Sequence, residues 1–139
     1  MWRMKTTVLL ALVFAAVAAP TFAPTANDGR VFELRTYHTP PGKLDALNAR
    51  FRDHTIQLFK RHGMDVVGFW EPTDPKQGAG ETLVYILAHK NRAAADASWA
   101  AFRADPEWVR VKGESEKDGA LTTNVESVFM SATDYSPMK

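Results

Sequence analysis

The chain has 139 residues, of which 45% are hydrophobic and 24% charged, and its formal net charge is +1. That length suits one domain, and the composition is that of a folded chain, not a disordered one. There is no cysteine, so disulfides, iron–sulfur clusters, thiolate zinc sites and a cysteine nucleophile are excluded.

Arg3 and Lys5 precede the apolar run VLLALVFAAV, and no acidic residue appears before Asp28. A basic head followed by a short apolar stretch predicts a secretory signal peptide, taken as residues 1–19. The run is well short of the ~20 residues a spanning helix needs. An uncleaved anchor is the competing reading. The expected address is therefore periplasmic or extracellular, with no membrane span in the mature chain. Of 17 basic residues, Arg3 and Lys5 fall in this segment; the 15 left against 16 acidic ones bring the mature chain to about −1. A chain of that charge, with no basic stripe, is not expected to bind nucleic acid. Residues 20–28, PTFAPTAND, read as a linker. The folded domain is expected over 29–135, with a tail at 136–139.

The run RVFELRTYHT at 30–39 alternates as a strand, with Phe32, Leu34 and Thr36 on one face and Val31, Glu33, Arg35 and Tyr37 on the other. Residues 43–63 read as one long amphipathic helix. Its apolar stripe is Leu44, Leu47, Phe51, Thr55 and Leu58, with Arg50, Arg52, Asp53, Gln57 and Lys60 free for solvent. Lys60, Arg61 and His62 followed by Gly63 suit a helix C-terminus. The second strand, 64–70, holds Gly68, a sign of a bulge or a close backbone approach. Val66 and Trp70 are expected to oppose Val67 and Phe69. The polar stretch 71–80 is a hairpin loop, and 81–89, ETLVYILAH, is a third strand apolar on both faces. Asn91 is a cap for a helix at 92–104, and Asp105-Pro106-Glu107 opens another. The charged run 114–118 is expected to be a solvated face. A fourth strand follows at 121–132.

Strand, helix, strand, strand, helix, strand is the ferredoxin-like α+β order, giving a four-stranded antiparallel sheet with helices on one face. The middle strands are apolar on both sides, so the second face needs a cover. A second copy, sheet against sheet, is the simplest one, and a homodimer is expected. With Phe32 and Leu34 turned to the helices, Arg35 and Tyr37 point to the space between the two sheets, and Glu33 is the counter-ion of Arg35. Arg35 and Tyr37 are the expected holders of a polar ligand group, Trp70 and Tyr85 the aromatic walls, and His54 the proton-transfer residue. For each, the alternative is structural: an ion pair, core anchors, a hydrogen-bonded histidine. His54 and His62 are about 12 Å apart along a helix, too far to share an ion. His38 and His89 end the first and third strands, read as parallel neighbours, and could meet, but no third ligand is evident. No metal or cofactor is assigned, and no phosphate loop or nucleophile elbow is present.

Taken in order, ELRTY, PGKL, RDHTIQLFKRHGM, VVGFW, ADPEW and ATDYSP resemble the NIPSNAP family over nearly the whole mature chain. The resemblance implies a dimeric α+β barrel. The family has no settled activity. Its animal members are mitochondrial and linked to vesicle transport and mitophagy, roles that an exported single-domain chain does not inherit. The wider superfamily includes cofactor-independent monooxygenases, haem-degrading enzymes and isomerases. The expected function, from the pocket residues, is an exported homodimer that binds a small, partly apolar molecule between sheet and helices; the resemblance implies, as the alternative, an enzyme of the monooxygenase or isomerase type.

Overall fold

In the computed structural model, which describes residues 29–139, the four apolar stretches become strands β1 (Val31–His38), β2 (Asp65–Trp70), β3 (Thr82–His89) and β4 (Asn124–Ser131). They form one sheet in the order β2-β3-β1-β4, with every neighbouring pair antiparallel. Helices α1 (Leu44–Arg50), α2 (Ile56–Arg61), α3 (Arg92–Ala104) and α4 (Pro106–Ser115) connect them. Buried side chains of α1, α2 and α3 join Leu83, Tyr85 and Leu87 of β3 in one core. This is the ferredoxin-like α+β arrangement. The expected signal segment 1–19 and linker 20–28 lie outside the described residues. Among the described residues no helix is long and apolar enough to cross a membrane.

Local chemistry sets the element ends. After α2, Gly63 takes φ +74°. Its N–H donates to the Lys60 carbonyl at 3.1 Å, and the Met64 N–H to the Phe59 carbonyl at 2.9 Å. These paired bonds close the helix, and buried Phe59 and Met64 supply the apolar contact that accompanies them. Asn91 accepts from the Ala94 N–H at 2.8 Å and starts α3; Asp105 accepts from the Glu107 N–H at 2.8 Å and starts α4. Asp105 also takes His62 Nε2 at 2.7 Å and Arg61 at 3.2 Å, tying the basic end of α2 to the acidic start of α4.

The long helix is not uninterrupted. Between α1 and α2, Phe51–Thr55 form a π-helical turn, in which the Ile56 N–H reaches the Phe51 carbonyl. Thr55 Oγ1 returns a bond to the Arg50 carbonyl at 3.2 Å. Such turns are rare and often sit at functional sites. The expected stripe is nevertheless buried throughout, from Leu44 to Leu58. Arg50, expected in solvent, is buried with it, because Glu116 and Trp108 across the helix layer receive its charge.

Two face assignments are reversed. In β2 the register shifts between Val66 and Gly68, so Val66 opposes Leu87 while Gly68 opposes Ile86. The bulge breaks the alternation, and Val66 joins Phe69 against the core, not Trp70. In β1 it is Glu33, Arg35 and Tyr37 that face the helices. Trp99 of α3 bonds to Glu33, and Tyr37 packs edge-on against Phe51 at 5.7 Å. Phe32, Leu34 and Thr36 share the outer face with Ala88, Ile86 and Val84 of β3 and Met130, Val128 and Glu126 of β4. That outer face remains largely apolar. The C-terminal tail crosses one end of it, over Phe32, Ile86 and Met130; Trp70 and Val128 elsewhere on it are half exposed.

Candidate functional site

The polar residues of β1 are held inside by partners far away in the chain. Glu33 is 1% exposed and accepts four hydrogen bonds: from Arg35 Nη1 at 2.7 Å, His89 Nε2 at 2.9 Å, Trp99 Nε1 at 2.7 Å and Ser127 Oγ at 2.7 Å. Burial pushes its carboxyl upward, but the bonds from His89, Trp99, Ser127 and Arg35 outweigh burial and hold it at about 2. The Arg35 guanidinium lies 4.2 Å over the Trp99 ring. Burial opposes its charge, yet Tyr85, Tyr37 and Glu33 together keep it above its ordinary value. Arg35 Nη2 donates to Tyr37 Oη at 3.3 Å, and Tyr85 Oη donates to the same oxygen at 3.0 Å. Burial, then Tyr37, push the Tyr85 hydroxyl up, so it stays a neutral donor.

Tyr37 carries this network to a cavity of about 140 Å³ between sheet and helices. Phe51, Phe59, Phe102 and Trp108 give the cavity aromatic walls, and Arg50, Lys112 and Glu116 give it charge. The π-helical turn contributes Phe51 and Thr55 at its two ends. Arg50 is 6% exposed; its Nη1 donates to Glu116 at 3.0 Å and to Ser115 at 3.2 Å, and its guanidinium lies 5.1 Å from the Trp108 ring centre. Its Nε has no partner among the described residues, nor have Arg35 Nε and His89 Nδ1. Lys112 bonds the second Glu116 oxygen at 2.6 Å. Burial raises the Glu116 carboxyl, and the Lys112 and Arg50 bonds overcome that and leave it below its ordinary value.

Of the residues expected at a site, Arg35, Tyr37 and Tyr85 come together, on the helix side of the sheet and not between two sheets. Tyr85 is fully buried among the rings of Tyr37, Phe51, Phe59 and Phe69. Trp70 is elsewhere, on the outer face and folded over Gly68, where a Cβ would sit 2.8 Å from the indole. His54 lines an open groove between α1 and α4 with Arg50, Asp53, Val111 and Glu114 and makes no hydrogen bond with the Arg35–Tyr37–Tyr85 cluster. His38 and His89 do not meet. β1 and β3 are antiparallel, so His38 opposite Thr82 and His89 opposite Val31 are about 23 Å apart by strand rise. Among the described residues no three metal-ligating side chains cluster. Arg50, Trp108 and Glu116 escaped sequence reasoning. The signals present were the Arg50 position one residue before Phe51 of the apolar stripe, and an ADPEW start that fixes where Trp108 falls on α4.

The NIPSNAP family profile matches residues 32–137. No functionally curated protein matches the chain. Among solved structures, the chain is similar to a NIPSNAP family protein of unknown function from Agrobacterium tumefaciens, at 24% identity and a TM-score of 0.69, over 81% of this chain and 96% of that one. It is also similar to an uncharacterized NIPSNAP-like domain protein from Burkholderia xenovorans, at 15% identity and a TM-score of 0.68, over 79% and 90%. A monooxygenase from Streptomyces coelicolor, solved with nanaomycin D, shares the fold at 14% identity and a TM-score of 0.56, over 81% and 95%.

Proposed function

As the chain belongs to the NIPSNAP family, we propose that it is an exported homodimer whose subunits each hold a small, partly apolar molecule between sheet and helices. The observation that supports binding is the aromatic cavity that Tyr37 and Arg50 both line. A ligand site of this kind is a mostly apolar hollow with a few convergent polar groups. Arg35, Tyr85 and Glu33 act behind Tyr37 and hold its ring and oxygen in place. Export rests on the basic and apolar N-terminal sequence. Dimerisation rests on the apolar outer face, where Trp70 and Val128 are half exposed. A stable pair buries ~800 Å² on each partner, about what an open four-stranded face supplies.

The test is native mass spectrometry of the protein purified from its own cells. A small molecule retained by the folded chain, and lost when the cavity is filled by Thr55→Phe, supports the reading. Retention unaffected by that substitution removes the cavity from it.

A second reading, a cofactor-independent monooxygenase or an isomerase, is favoured by the likeness to the Streptomyces coelicolor monooxygenase. There the group in reach of a substrate is Tyr37, since His54 lines a different hollow. Oxygen uptake with a phenolic substrate separates the two readings. If uptake occurs and His54→Ala abolishes it, the proton-transfer role passes back to His54.

A further inference from the structure

The cavity has a size, a charge and a hydrogen-bond deficit, and together they narrow what it takes. Its volume, about 140 Å³, is close to the ~150 Å³ of an engineered apolar cavity that accommodates benzene. A single six-membered ring is the size it matches.

The charge follows from the lining. The ionised side chains on its wall are Arg50, Lys112 and Glu116, two cations against one carboxylate. Glu116 is shared between both cations, so the wall carries one more positive charge than negative, with the Lys112 end half exposed to solvent. Trp108 under Arg50 relieves part of it. An anion placed beside Arg50 is therefore favoured over a cation.

The deficit is in donors without acceptors. Arg50 Nε, on a side chain more than nine-tenths buried, has no partner among the described residues. Tyr37 Oη already accepts from Tyr85 and Arg35. A hydroxyl oxygen with two incoming bonds keeps its own hydrogen for a third partner, and among the described residues Tyr37 donates no hydrogen bond. Two residues that line the cavity, Arg50 and Tyr37, thus each keep a donor for an incoming acceptor.

Resting on the reading that this cavity is the ligand site, we infer that its ligand is a single-ring aromatic anion, a carboxylate or phenolate. Arg50 pairs with the charge, Tyr37 donates to the same oxygen-bearing group, and Phe51, Phe59, Phe102 and Trp108 enclose the ring. The ring is held by area and shape, and the anionic end by charge-assisted bonds.

Calorimetric titration of the full processed chain with benzoate, benzamide and 2-naphthoate tests this. Benzoate is expected to bind about tenfold more tightly than its neutral isostere benzamide, the size of one charge-assisted hydrogen bond, and 2-naphthoate not to bind. Tyr37→Phe should weaken benzoate and benzamide alike by several fold, and Arg50→Met should erase the preference between them. Near-ultraviolet circular dichroism checks that each variant folds; should Arg50→Met not fold, the unaltered chain still decides through the three ligands. Benzamide binding as well as benzoate overturns the anion assignment and leaves the cavity as a ligand site. Tighter binding of 2-naphthoate overturns the single-ring limit. Failure of benzoate to bind overturns this inference, while ligand retention in Thr55→Phe decides the cavity reading beneath it separately.

Discussion

Glu33 is a carboxylate in the core whose four donors outnumber those of an ordinary buried ion pair. Removing its charge strands Arg35, so Glu33→Gln should cost about 3 kcal/mol at neutral pH. The pH dependence has a definite sign. The folded-state value, about 2, lies below the ordinary 4.5, so the stabilisation is complete above the ordinary value and fades as pH falls toward 2. Urea unfolding at pH 7, 4 and 3 should show the gap between the natural chain and Glu33→Gln narrowing stepwise. A gap that holds constant across that range would mean that the Glu33 carboxyl is not lowered in the fold, and one that reverses as pH falls that it is neutral there. None of this was visible along β1 alone. Glu33 and Arg35 two residues apart announce a pair, and the pair is real, but its other donors come from positions 89, 99 and 127.

Among the elements, helix ends follow their local sequence closely and helix faces less so. Gly63 and Gly113 make the contrast measurable. Gly63 stands at φ +74° with no close neighbour for a Cβ beyond Ser98 Oγ at 3.8 Å. Gly63→Ala should therefore destabilise by ~1 kcal/mol from backbone strain alone. Gly113 lies within α4 with open space around it, and Gly113→Ala should stabilise by about 0.5–1 kcal/mol. Thermal unfolding of the two variants should move in opposite directions. The bulge in β2 belongs to this scale too. Gly68 signalled it, but which residue changes face depends on the partner strand, and the pairing with β3 turned Val66 inward.

For the whole molecule, the sheet has one face under helices and one apolar face without them. If two subunits meet there, Val128→Glu should raise the dimer dissociation constant at least ~10-fold by putting a carboxylate into the contact. Val128 is 53% exposed in the single chain, so the fold itself should survive. Sedimentation equilibrium at micromolar concentration measures the shift; a natural chain that already sediments as one subunit removes the dimer. The apolar outer face was legible from β3, whose residues are apolar on both sides, and it survives the reversal of β1 because Phe32 and Leu34 take the places foreseen for Arg35 and Tyr37.

The order of strands and helices, their caps, the antiparallel ferredoxin-like sheet and the apolar character of β3 on both sides all rest on interactions within a few residues or on simple alternation, and they were legible along the chain. Which side of β1 goes inside was not. A local rule sends Phe32 and Leu34 to the core because an unpaired glutamate and arginine are too costly to bury. Only the tertiary structure brings His89, Trp99 and Ser127 to Glu33, and Trp108 and Glu116 to Arg50, and those distant partners reverse the sign of the cost.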